Sequence, residues 1–116
     1  MITYSDFHRL LTDSTECATF DEFVAECGGS VPLTNLGTTL LLLKAIYDIG
    51  HDGLTVRKLC KVCLPSRRQL AMRYGIPIRS VENWAAGLNS MPAWQLPMLA
   101  YAVVSDYIGD IVGEAW

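Results

Sequence analysis

SRRQLAMRYGIPIRSVENWAAGL, residues 66–88, reads as two short helices joined by a tight turn. Ser66 and Gln69 have the spacing of a capping box, in which the hydroxyl accepts from the amide three residues on and the Gln side chain reaches back. Leu70, Ala71 and Tyr74 then recur at helical spacing, and Gly75 supplies the left-handed backbone that closes a helix without a Cβ penalty. The turn is Gly75-Ile76-Pro77. Pro77 suits a helix start, where its missing N–H would be unpaired anyway, and Gly87 marks the stop.

In the second helix Val81, Trp84, Ala85 and Leu88 share one apolar face, which predicts packing on the first helix. The opposite face gathers Ile78, Arg79, Glu82, Asn83 and Ala86. Arg79 can bond guanine O6 and N7 together, and Asn83 can bond adenine N6 and N7, because donor and acceptor spacings match. Ile78 can touch a thymine methyl. Glu82 can accept from cytosine, but its charge also repels phosphate or pairs with a neighbouring cation such as Arg79, so its role stays open.

These residues resemble the DNA-binding region of phage-repressor-type helix-turn-helix proteins, the xenobiotic-response-element family. The resemblance covers roughly residues 54 to 104: a helix ending before Pro65, then RRQLAMRYGIP, RSVENWAAG and a Pro-Ala-Trp segment opening one more helix. Carried over by position, it implies DNA contacts from Ile78, Arg79, Ser80 and Asn83, with Ser66 and Arg67 holding a phosphate. The chain departs from the family where Ile76 and Pro77 replace the usual Ser or Thr cap, removing one capping or phosphate contact. Ala86 also stands where a polar residue is common.

The chain carries a net charge of −3, which alone argues against nucleic acid. The distribution reverses this. Arg57, Lys58, Lys61, Arg67, Arg68, Arg73 and Arg79 fall between 57 and 79 with no acid among them, whereas Asp6, Asp13, Glu16, Asp21, Glu22 and Glu26 crowd the start. A duplex-facing side and an acidic back follow, with Ser66, Arg57, Lys58, Lys61, Arg67, Arg68, Arg73 and Ser80 as phosphate contacts.

At 116 residues the chain is long enough for one core without disulfide or metal staples. Thr3 caps a helix with Tyr4, Phe7, Leu10 and Leu11 on one face. Thr19 and Glu22 form a second capping box, and Cys27-Gly28-Gly29 ends that helix. A third helix runs from about Asn35 to Ile49 with Thr34 as its cap. Its apolar residues, including Leu36, Leu40 to Leu43, Ile46 and Ile49, occur nearly all round, as in a buried central spine. Thr55 caps a helix through Cys63.

After the helix-turn-helix, Ser90 or Met91 caps a last long helix with Pro92 in its first turn. Trp94, Met98, Tyr101, Ala102, Ser105 and Ile108 trace one side of it, and Leu96, Leu99, Val103 and Tyr107 widen the stripe. That surplus of apolar surface fits a homodimer and ordinary core packing about equally. The predicted fold is all-α, a single compact helical domain: residues 1–53 form an N-terminal helical region of that domain, and residues 54–116 the helix-turn-helix region with the C-terminal helix.

Cys60 and Cys63 form a single C-x2-C, and Cys17 and Cys27 lie nine residues apart on helices with their own apolar faces; buried thiols are the expectation, not a metal site. His8 and His51 stand away from any glycine-rich phosphate loop, His-Glu-x-x-His segment or serine elbow, so no catalytic residues and no cofactor are expected. With no secretory leader and no 18-residue apolar run, the expected location is cytoplasmic, away from membranes. The function read from the sequence is transcriptional regulation of double-stranded DNA, as a repressor. The alternative is a protein-binding module, an antitoxin or a phage-encoded inhibitor such as an anti-CRISPR, which an acidic surface suits and which is compatible with autoregulation.

Overall fold

Local capping chemistry decides where most of the helices begin. In the computed structural model, which describes residues 2–33, 35–63 and 66–113, five helices start at a side chain accepting from the backbone N–H three residues on. They are α1 (Tyr4–Ser14, capped by Thr3), α2 (Phe20–Cys27, Thr19), α3 (Leu36–Gly50, Asn35), α4 (Val56–Val62, Thr55) and α5 (Arg67–Tyr74, Ser66). Two more, α6 (Ile78–Ala85) and α7 (Gln95–Val112), start without a side-chain cap. A short 3-10 turn, Gly28–Ser30, follows α2. The described residues are all helix, turn and loop, and none of these helices is long and apolar enough to cross a membrane.

The third helix is the hub. It packs against α1, α2, α4 and α7, and Leu42, Leu43, Ile46 and Ile49 along it are fully buried. Its start departs from the expected all-round burial: Leu36 is 71% exposed and Leu40 is also at the surface, while Thr38 and Thr39 between them are buried. The expected cap Thr34 lies outside the described residues; Asn35 caps instead, its Oδ1 accepting from Thr38 N at 3.0 Å.

Helix α7 closes the core from the other side. Leu99, Ala100, Val103, Val104 and Ile108 are its buried stripe, while Trp94 and Met98, expected on the same side as Ile108, are exposed at 67% and 53%. Phe7 packs edge-on against Tyr101 at 5.4 Å, and the Tyr101 hydroxyl donates to Ile2 O at 2.6 Å, stitching α1 to α7. The helix also starts later than Ser90, Met91 or Pro92 implied. Pro92 stands ahead of it, its carbonyl accepting from Gln95 N and Leu96 N, and Pro97 occupies the first turn instead, where a missing N–H costs little.

Candidate nucleic-acid interface

Helices α5 and α6 pack on each other through a three-residue turn, and both ends of the pair close in the same way. At the first, Gly75 takes φ 65°, ψ 32°, a left-handed conformation, and Ile76 N donates to Ala71 O at 2.9 Å. At the second, Gly87 takes φ 77°, while its own N–H donates to Trp84 O and Leu88 N donates to Asn83 O at 2.9 Å. These backward bonds satisfy last-turn carbonyls in the Schellman manner. They also turn the chain away from the helix axis. Leu88 is therefore 74% exposed and does not extend the apolar face of Val81, Trp84 and Ala85, contrary to the helical register read from sequence.

Leu70 and Ala71 are the buried residues of α5 and Val81 and Ala85 those of α6; the two helices pack on each other, and α6 docks on α4. Burying these side chains aims the rest of α6 outward. Ile78, Arg79 and Glu82 are exposed, Asn83 and Ser80 half-exposed, and Ala86 exposed beyond them. The expected base-reading residues Ile78, Arg79, Glu82 and Asn83 thus share one accessible face. Among the described residues no ion pair joins Glu82 to Arg79, and both side chains face solvent. Pro77 caps α6 only by its carbonyl, which accepts from Ser80 N and Val81 N at 3.0 and 3.2 Å.

The eight expected phosphate contacts divide. Arg67 and Arg68 stand exposed in the first turn of α5, where Ser66 Oγ accepts from Gln69 N at 3.1 Å and keeps its own proton to donate. Arg57 and Lys61 are exposed on α4, and Lys58 Nζ donates to Gly53 O at 2.9 Å. Arg73 is turned elsewhere. Its guanidinium lies 3.5 Å from Asp110 of α7, beside Tyr74, whose hydroxyl donates to Asp106 at 2.6 Å. Its place in the basic run groups Arg73 with the phosphate contacts; the last turn of α5 lies against the acids of α7, so Arg73, still exposed, has Asp110 beside it. Burial and the Asp106 carboxylate push the Tyr74 phenol up, keeping it a hydrogen-bond donor.

A groove of about 590 Å³ runs along the outside of the turn, lined by Arg68, Met72 and Ile78 over a floor of Ala71, Gly75, Ile76 and Pro77. Met72, 77% exposed, went unremarked in the sequence, where it falls between the buried Ala71 and Arg73 with no pattern to single it out.

All four cysteines are free thiols; Cys17, Cys27 and Cys63 are buried and Cys60 half-buried. Among the described residues, one group brings three metal-type donors within 4.8 Å: Cys17, Glu22 and Glu26, not the C-x2-C pair. There the Cys17 thiol donates to Glu26 at 3.4 Å, and burial with the neighbouring carboxylates pushes it up to about 11, so it holds its proton. Glu22 is engaged locally, accepting from Ala18 N at 3.1 Å in the capping box of α2. His51 stacks on Tyr47 with ring centres 4.5 Å apart and lies 3.1 Å from Asp52.

No protein-family model, curated protein or solved structure matches this chain.

Proposed function

We propose that the chain is a sequence-specific DNA-binding transcriptional regulator that inserts α6 into the major groove and represses by occupying a promoter. The observation that carries this reading is the sidedness of α6: Val81 and Ala85 are buried while Arg79, Glu82 and Ile78 are exposed on the other face, with Arg67 and Arg68 exposed at the start of the helix packed on it. Side chains that match base edges and cations that match phosphates then lie on adjoining elements. Arg79 and Asn83 specify sequence; Arg67, Arg68, Arg57, Lys58, Lys61, Ser66 and Ser80 position the protein. A dimer would place two copies of α6 on half-sites about one helical turn apart.

The test is binding of a labelled duplex from the gene's own upstream region, at about 50 and 200 mM salt, against random competitor DNA. Competitor-resistant binding with a steep salt slope is expected, and Arg79→Ala should cost about 1–3 kcal/mol on the preferred site and relax specificity there. Equal loss on unrelated duplexes would reassign Arg79 to a phosphate. Weak binding that competitor removes from every sequence alike would overturn the regulator and leave the protein-binding module, an antitoxin or inhibitor, as the reading to pursue.

A further inference from the structure

The start of α6 carries a feature that phosphate-holding does not use: an apolar side chain set among cations. Ile78 is 42% exposed, is followed directly by the exposed Arg79, and shares the turn groove with Arg68. An apolar protein partner seated over Ile78 would have to strip water from these guanidinium groups, at a cost that a few methyl contacts do not return. Duplex DNA offers the complementary arrangement, with phosphates along the groove walls and one apolar group on its floor, the C5 methyl of thymine.

We infer that Ile78 reads a pyrimidine C5 methyl group, so that the preferred half-site carries thymine next to the base pair read by Arg79. The inference rests on the DNA-reading function proposed above and adds a chemical specificity to it. Glu82 and Asn83, one turn further along the same face, are polar and carry no comparable preference for a methyl group. The step involves apolar contact alone. It therefore depends on the methyl and not on base pairing, which thymine and uracil share.

Duplexes are first selected from a randomised pool by the full-length protein, and each thymine of the best one is then replaced singly by deoxyuridine. Replacement at one position should weaken binding by about 3–10-fold, the scale of one buried methyl group. Ile78→Ala should bind the thymine and uracil duplexes equally, while Ile78→Val should keep the discrimination. Putting 5-methylcytosine in place of cytosine at the same position should restore affinity to a cytosine-substituted duplex. Because Ile78 is at the surface, the variants should melt with the wild type, which a melting curve checks. Selection that enriches no sequence overturns the DNA-reading function itself, before any uracil is introduced. Enrichment without a uracil-sensitive position, or undiminished sensitivity in Ile78→Ala, overturns the methyl contact alone and leaves that function standing.

Discussion

Helices α3 and α6 divide the molecule's work between them. Nine of the fifteen residues of α3 are buried, and they bind it to four other helices; α6 has eight residues, of which Val81 and Ala85 alone are buried. The first is held by a long buried face, the second by Val81 and Ala85, the half-buried Trp84 and the turns at its ends. A helix that buries fewer of its residues is correspondingly free to present polar groups. Stability and recognition should therefore respond to different substitutions.

The largest expected effect is in the spine's layer. Phe7 of α1 is buried against Tyr101 of α7, and Phe7→Ala should destabilise by about 3–5 kcal/mol, through lost transfer energy and the cavity left behind. Met72→Ala, at a side chain exposed on α5, should stay within about 0.5 kcal/mol of the wild type. Denaturant titration of the two variants measures the contrast. A comparable loss in both would mean that the α5–α6 pair shares the core's cooperativity far more than its burial implies.

Next comes the turn. An alanine Cβ at Gly75 would meet nothing within 4 Å, so the whole cost of Gly75→Ala is conformational, about 1–2 kcal/mol for an L-residue at φ 65°. If α5 and α6 act as a unit, DNA affinity should fall with stability in this variant, whereas Phe7→Ala at a temperature where it remains folded should leave affinity unchanged. A smaller effect is expected at the bond joining the two regions. Tyr74→Phe removes the 2.6 Å bond to Asp106 and should cost about 1 kcal/mol, read as a lowered Tm.

The parts legible in the sequence were those decided locally. Thr3, Thr19, Thr55 and Ser66 cap where their spacing put them, and Gly75 and Gly87 end helices because only a left-handed residue lets the chain turn back at those points. The outward face of α6 was legible as well, since Val81 and Ala85 could be buried in only one way. What failed depended on neighbours distant in the chain. A run of charge groups Arg73 with its neighbours and gives no sign of Asp110, thirty-seven residues later, which lies 3.5 Å from its guanidinium. Trp94 and Met98 share a helical stripe with Ile108 on paper; the stripe that meets α1, α3 and α4 lies to one side of it, through Leu99 and Val103. The start of α7 is not legible, because Pro92 and Pro97 both suit its first turn and periodicity does not choose between them.

The remaining effect is alkaline, and it runs through thiols that belong to both regions. Cys17 lies against Glu26 of α2 and Tyr47 of α3 in the scaffold, and Cys63 ends α4, the helix on which α6 packs. Burial pushes Cys63 up to about 12, with Asp48 and Cys60 adding to it; burial, with Glu26, pushes Cys17 to about 11. In the unfolded chain both ionise near 9.0. Below that pH both states hold the protons and stability is at its full value. Above it the unfolded chain sheds them while the folded chain keeps them, so stability falls as pH rises, through about 11 for Cys17 and about 12 for Cys63. Tyr47 and Tyr74, also pushed up, have ordinary values of 10.0, so the first part of the decline belongs to the cysteines. Chemical denaturation between neutral pH and the onset of the tyrosines should show that decline in the wild type and a shallower one in Cys17→Ala and in Cys63→Ala. If Cys63→Ala alone also flattens the loss of DNA binding over the same range, α4 is the link by which the scaffold's ionisation reaches the reading helix; if Cys17→Ala does so equally, the two regions unfold as one.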